Sequence, residues 1–293
     1  MAASPTFLVT GASGQLGRRV VEHLLATRAG TIIAASRDPA KLAALAAKGA
    51  QTRRIDFDDA ASLDAALKGV DRLLIISTDD VLTPGRRLRQ QTAAVEAAAR
   101  AKVGHVVYTS MPHPEPGSLI PFAPDHYGTE QALAKSALPH TILRVSWYVE
   151  NLLRALPSVF ASGKWYSAAG EGKLANIARD DVARAAASAL VKAPGGVFNL
   201  TGPDLLTTRQ IAALVAEVFD KKIEFISVND EQLLAGLLAA GLPKPIAELT
   251  VAFDANTRAG KVDLVTDAVE KLTGQKPIRL RDAIAALKPA LSA

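Results

Sequence analysis

The sequence predicts an α/β protein: a doubly wound parallel sheet with a smaller α/β lobe at its carboxyl-terminal side. Three observations lead there. Strand-like and helix-like stretches alternate up to about residue 145. Leu73-Leu74-Ile75-Ile76 is an unbroken apolar run, as a strand covered on both faces requires. Glycines at 11, 14 and 17 separate the first strand from the first helix, where such sheets make a tight turn.

The first strand runs through Leu8 and Val9 into those glycines. Leu16, Val20 and Leu24 then recur on one helical face. Thr31–Ser36 is the second strand, and Pro39–Lys48 reads as a helix with Leu42, Leu45 and Ala46 inward. Thr52–Ile55 is a short strand ending in Asp56-Phe57-Asp58-Asp59, and Ala60–Leu67 is a helix. The fourth strand lies within Val70–Ser77. The alanine-rich helix Pro84–Ala101 leads to the strand His105–Tyr108, and the helix Asp125–Ser136 to the strand Thr141–Arg144. Strands joined by crossover helices make a parallel, doubly wound sheet. We assign residues 1–150 to this domain and 151–293 to the lobe, with a strand near 175 or 197 able to rejoin the main sheet.

The lobe is less regular. Ala155–Gly172 mixes aromatics with glycine. Asp180–Val191 is a helix that Asp180 is suited to cap. Val197–Leu200 is a strand, and Thr201-Gly202-Pro203-Asp204 a turn. Thr207–Phe219 places Ile211, Leu214, Val215 and Val218 on one face, and Ile223–Val228 is a strand. Glu231–Ala240, Pro245–Asn256, Thr266–Thr273 and Leu280–Leu287 read as helices.

Composition narrows the function. With 293 residues, 49% hydrophobic and 22% charged, the chain can bury a large core. It has no cysteine, which excludes disulfides, thiolate metal sites and cysteine nucleophiles. Five scattered histidines show no His-x-x-x-His spacing, so no metal is expected. No apolar run approaches the roughly 20 residues that span a bilayer, and Met1-Ala2-Ala3-Ser4-Pro5 lacks the features of a signal peptide. A cytoplasmic protein without a membrane partner is expected. The net charge of +5 raises nucleic acid as a partner, but Arg53-Arg54 and Arg86-Arg87-Leu88-Arg89 have no interleaved aromatics. Those runs read as solvated helix faces with modest attraction for an anionic cofactor, and no nucleic-acid partner is expected. A small-molecule substrate is expected, and a homodimer is left open.

A glycine turn between strand and helix suits the pyrophosphate of a dinucleotide. Gly11 permits the turn, Gly14 admits phosphate close to the backbone, and Gly17 lets the helix pack on the strand. The helix N-terminus adds free N–H groups and partial positive charge. Thr10, Ala12, Ser13, Gln15 and Leu16 complete this Rossmann-type turn. An acid at the end of the second strand would accept from the ribose of NAD. That strand ends instead in Ser36-Arg37, and Arg37 can pair with the 2′-phosphate of NADP, assisted by Lys41. NADP(H) is the expected cofactor. Asp56 suits the adenine amino group and Phe57 the ring; the competing reading gives these acids to capping the next helix. Ser77, Thr78 and Ser110 end the fourth and fifth strands, where topology brings the nicotinamide half.

Val9–Gly17, Ala35-Ser36-Arg37, Leu73–Thr78, His126–Ala132 and Leu143–Asn151 together resemble the NmrA-like branch of the atypical short-chain dehydrogenases/reductases. Within it, they look most like the NAD(P)H quinone oxidoreductase type 2 and triphenylmethane reductase group. The tail, from Phe253-Asp254-Ala255 through Val265-Thr266-Asp267 to Leu272-Thr273-Gly274, resembles that group too. The resemblance implies a Rossmann domain, a small substrate lobe, NADPH, and hydride transfer to quinones or similar flat, electron-poor compounds. Ordinary members of the wider superfamily carry Tyr-x-x-x-Lys, whose lysine activates the tyrosine and holds the ribose. Here Tyr127-Gly128-Thr129-Glu130-Gln131 keeps the tyrosine and has glutamine at the lysine position, and Val145 stands where the resemblance leads one to expect asparagine.

Tyr127 and Gln131 are therefore auxiliary catalytic candidates: a neutral phenol that can donate, and an amide that can meet ribose hydroxyls. A quinone needs no strong acid, because the anion left by hydride addition is delocalised and a weak donor or water can protonate it. Positioning in a dry, flat slot supplies much of the rate. Trp147, Tyr148, Trp165 and Tyr166 are candidate walls of that slot, with core packing the competing reading. Asn151 suits a substrate carbonyl or amide. The alternative function is a redox-sensing regulator that binds NADP without turnover, which the incomplete Tyr-x-x-x-Lys favours.

Overall fold

The computed structural model describes residues 4–291; residues 1–3 and 292–293 of the two expected domains lie outside the described residues. Strands and helices alternate through β1 (Thr6–Val9), α1 (Gln15–Thr27), β2 (Thr31–Ser36), α2 (Ala43–Ala46), β3 (Gln51–Arg54), α3 (Ala60–Ala66), β4 (Arg72–Ile75), α4 (Arg86–Arg100), β5 (His105–Ser110), α5 (Ala123–Lys135) and β6 (His140–Val145). The chain then leaves for α6 (Leu156–Ser162), β7 (Lys164–Ser167) and β8 (Lys173–Leu174), and returns through α7 (Arg179–Lys192) to β9 (Gly196–Leu200). It continues with β10 (Leu206–Thr207), α8 (Thr208–Phe219), β11 (Glu224–Ser227), α9 (Asp230–Ala239) and α10 (Lys244–Arg258). Three short helices follow: α11 (Ala268–Thr273), α12 (Leu280–Ala285) and α13 (Lys288–Leu291).

Seven strands form one parallel sheet in the order β3-β2-β1-β4-β5-β6-β9. The order reverses between β1 and β4, and that reversal opens a crevice at their carboxyl ends. The strand expected near 197 does rejoin the sheet: β9 lies along β6, with Ile142 opposite Val197 and Val145 opposite Leu200.

Each face of the sheet has its own apolar layer. On one, Leu16, Val20 and Leu24 of α1 meet Val182, Ala186 and Leu190 of α7 and Val269 and Leu272 of α11. On the other, Leu63 of α3, Ala94 and Ala98 of α4, and Leu133 of α5 cover the strands. A third core holds the lobe together through Leu156, Val159, Trp165, Ile211, Val215, Leu280 and Ile284. Two ribbons edge it, β7 parallel to β11 and β8 antiparallel to β10.

Local chemistry explains where elements depart from the periodic reading. Pro39–Lys48 is not one helix: Asp38 caps a 3₁₀ turn over Pro39–Leu42, and only α2 follows before Gly49 takes a positive φ. Asp180 does not cap α7. The cap position is Ala178, and Asp180 in the first turn pairs with Arg19 and His23. Glu150 instead accepts the Arg179 backbone N–H. Ala155–Gly172 is ordered into α6 and β7.

Candidate functional site

The turn after β1 is tied to both neighbouring strands. The buried Thr10 hydroxyl accepts from the Ile76 N–H at 2.9 Å, and the Ala12 N–H donates to the Ala35 carbonyl at 3.0 Å. Gly11 has φ +60°, and a Cβ on Gly17 would lie 2.4 Å from the Gly11 carbonyl oxygen. Only glycine lets α1 start this close beneath the turn. The cap residue of α1 is Gly14, and no side chain closes the helix end. Its first N–H groups are thus left for an anion. Ser36 donates to the Ser13 hydroxyl at 3.0 Å and accepts from the Asp38 N–H.

A cleft of about 400 Å³ lies above this turn. Of the residues expected to bind a cofactor, Thr10, Gly11, Ser13, Gly14, Arg37, Asp56, Phe57, Ser77 and Thr78 line it. Ala12, Leu16 and Gly17 are buried below, and the Gln15 side chain accepts from the Arg179 guanidinium. Arg37 is exposed at the cleft and makes no ion pair or hydrogen bond among the described residues. A dinucleotide with a 2′-phosphate fits this donor set: an open helix end for the bridging phosphates and an uncommitted cation for the third.

Asp79, Asp80, Arg86 and Gln90 also line the cleft, and they were not foreseen. Arg86 bridges Asp58 (2.8 Å) and Asp80 (3.2 Å), while Gln90 donates to Asp58 at 2.8 Å. The Arg86 and Gln90 hydrogen bonds hold the Asp58 carboxyl below its usual range, and the Arg37 charge adds a smaller pull. Asp59 caps α3 through the Ser62 N–H and also pairs with Arg54. Asp56 pairs with Arg54 at 3.2 Å while facing the cleft.

Beyond β5 the site is built from side chains. Ser110 donates to Glu130 at 2.6 Å, and Arg144 reaches both oxygens of Glu130 and also Glu115. Burial works against the Arg144 cation, but the hydrogen bonds and charges of Glu130 and Glu115 outweigh it and raise its pKa. Behind them, Tyr108 donates to Gln91 at 3.0 Å and lies 2.9 Å from His126 Nδ1. Arg87 meets His126 Nε2 at 2.8 Å. Burial, and then the Arg87 charge, push the His126 pKa well down, so the ring is neutral. Its Nε2 accepts from Arg87, and Nδ1–H donates to Tyr108. Arg87 is 4% exposed and its guanidinium lies 5.0 Å from the centre of the Phe122 ring. This corrects the expected solvated helix face, because Arg87 belongs to the interior. Arg53 likewise spends its guanidinium on the Ala66 and Lys68 carbonyls.

Tyr127 is half-buried and Gln131 exposed, one turn apart on α5, and neither side chain is hydrogen-bonded among the described residues. Trp147 meets Phe253 edge to face at 4.9 Å, Phe253 approaches Phe122 at 6.2 Å, and Met111 and Ile120 close the cluster. Tyr148 lies under Arg179 at 4.8 Å, and burial pushes its phenol up to about 12. Trp165 is buried in the lobe core, whereas Tyr166 on the opposite face of β7 and Asn151 are exposed. The four expected aromatics are therefore not one wall: Trp147 groups with Phe122 and Phe253, which single residues in an unaligned sequence do not signal. Among the described residues no acidic, histidine or cysteine cluster could hold a metal, and no helix is long and apolar enough to cross a membrane.

Residues 3–282 match the NmrA-like family. The chain is 37% identical over 284 residues to quinone oxidoreductase 2 of Escherichia coli, covering 95% of this chain and 97% of that protein. Its fold superimposes with a TM-score of 0.90 on an NADPH-dependent quinone oxidoreductase of Escherichia coli in complex with NADPH, at 35% identity over 96% of this chain and 99% of that one. The triphenylmethane reductase of a Citrobacter species gives a TM-score of 0.88 at 32% identity, covering 98% of this chain and 100% of that one.

Proposed function

The chain belongs to the NmrA-like family, and from that premise we propose that it is an NADPH-dependent reductase acting on quinones or similar flat, electron-poor compounds. One observation carries the cofactor half of this reading. An uncapped helix end and the uncommitted Arg37 face a single cleft at the point where the strand order reverses.

In this reading the backbone from Gly11 to Gly17 holds the pyrophosphate, and Arg37, beside the Ser13–Ser36 pair, takes the 2′-phosphate. Asp56 and Phe57 flank the adenine, and Ser77 and Thr78 lie on the path to the nicotinamide. The bound cofactor supplies a hydride. Ser110 is committed to Glu130 and acts by positioning α5. Tyr127 and Gln131, whose side chains are not hydrogen-bonded among the described residues, assist as neutral donors. Trp147, Phe122 and Phe253 offer an apolar wall that excludes water from a flat acceptor. Trp165 supports that wall from within the lobe core, to which Trp147 itself packs and from which the returning α7, β9 and α11 stand apart. The same reading takes the protein as a cytoplasmic enzyme on small molecules with no nucleic-acid partner, and leaves a homodimer open.

Anaerobic mixing with NADPH and a panel of small quinones tests the reading. Single-turnover loss of nicotinamide absorbance is expected, faster with NADPH than with NADH. Tight NADPH binding without oxidation by any quinone would overturn it in favour of a non-catalytic redox sensor.

A further inference from the structure

We infer that Trp147 and Asn256 are specificity-determining residues, two N–H donors that bind the carbonyl oxygens of a flat acceptor beside Phe253. The inference rests on the reductase reading above and adds to it the chemical feature by which the acceptor is selected.

Trp147 Nε1 and Asn256 Nδ2 are buried and have no hydrogen-bond partner among the described residues. Buried donors without acceptors are few in native proteins, and each calls for an explanation. Phe253 links them along the chain. Phe253 lies 4.9 Å from the Trp147 indole, and Asn256 follows it by three residues, on the same face of α10.

Both donors are held in place. Asn256 is completely buried, and its Oδ1 accepts from the Leu119 N–H at 3.2 Å. That bond decides which way the amide lies, because a backbone N–H needs the oxygen and not the nitrogen. The NH₂ is therefore fixed facing away from Leu119 with nothing to bond. The Trp147 carbonyl accepts from Asn176 Nδ2 at 3.2 Å and from the Ile177 N–H at 3.0 Å, which fixes the backbone that carries the indole.

The surroundings select the ligand. Met111 follows β5 and Trp147 follows β6, so the cluster sits at the carboxyl edge of the sheet, where ligands of such folds lie. Its other members, Ile120, Phe122 and Phe253, are apolar. A flat molecule whose polar atoms accept and do not donate complements two free donors on an apolar floor. A quinone or related conjugated dicarbonyl has that pattern; a carbonyl-free dye does not use it.

Trp147→Phe keeps an aromatic ring against Phe253 and removes only the N–H. Asn256→Asp keeps an acceptor for Leu119 and removes the NH₂. Steady-state rates with NADPH are compared for a benzoquinone and for a carbonyl-free phenazinium hydride acceptor. Each variant should raise KM for the quinone about threefold to tenfold, the cost of one neutral hydrogen bond, and raise KM for the phenazinium by clearly less, with Kd for NADPH unchanged. Unchanged quinone KM, or an equal rise for both acceptors, would overturn the inference while leaving the reductase reading intact. Saturable quenching of Trp147 emission by the quinone in a Trp165→Phe background reads binding without turnover. Quinone binding that Asn256→Asp weakens, with no NADPH oxidised, would uphold the donor assignment and sink the reductase reading.

Discussion

Around β1, β2 and β4 the site is made of backbone. Glycines bring the chain close, a helix end is left without a capping side chain, and main-chain hydrogen bonds tie the turn to its neighbours. Around β5, β6 and α5 it is made of side chains: a buried carboxylate between a serine and an arginine, a neutral histidine between an arginine and a tyrosine, and an edge-to-face aromatic cluster. The first kind of construction leaves a helix end open to an anion and tolerates many side chains. The second spends buried polar groups to hold α5 against the sheet, so its order and its fragility come from the same residues.

The sharpest way to break this contrast is Arg144→Met, which strands Glu130 in the interior. A loss of about 3–5 kcal/mol in urea unfolding is expected; a near-neutral change would mean the acceptor half does not depend on its polar network.

Acid should act on the same half. His105 has its pKa lowered from 6.5 to about 4 by burial first and the Arg72 charge second, and His126 is lowered too. The unfolded chain takes up protons first as pH falls below about 6.5, so stability is full above that value and declines toward pH 4. The decline should reach roughly 1–3 kcal/mol and be smaller in a His105→Asn variant, which keeps His126. A profile flat over that range would refute the buried neutral histidines.

On the adenosine side, Arg37→Glu should leave folding unchanged and reverse the NADPH over NADH preference. The lost charge-assisted contact corresponds to about 1.5–3 kcal/mol, measured as the ratio of kcat/KM. An unchanged ratio would assign the 2′-phosphate to another residue. The smallest effect is expected at the seam between the halves: Tyr127→Phe should change kcat for a quinone by less than about threefold, under ~0.7 kcal/mol. A hundredfold loss would make Tyr127 a proton donor of the first importance.

The same contrast decides what could be read beforehand. Gly11, Gly14 and Gly17 announce themselves by spacing, and Arg37 by its place at the end of β2, because both belong to local chain geometry. Trp165 and Tyr166 are neighbours on a strand and must face opposite ways, so alternation alone separates them. Arg87 reads as one of a solvated basic run, since nothing within α4 reports that Phe122 and His126 of the distant α5 region cover it. Trp147 meets Phe253, and Leu119 meets Asn256, only because α10 folds back toward the segments that follow β5 and β6. Ser110 reads as the end of a strand, but Glu130, which takes its hydroxyl, is revealed only by the packing of α5.

The return of β9 to the edge of β6 has a consequence for synthesis. The lobe segments that leave after β6 are interposed in a sheet that is complete only when residue 200 has left the ribosome. A nascent chain paused near residue 150 would present the open edge of β6, whose unpaired N–H and C=O groups invite another chain. Truncation at the apparent domain boundary should therefore yield an aggregating fragment, because the sheet that carries both halves of the site closes only with β9.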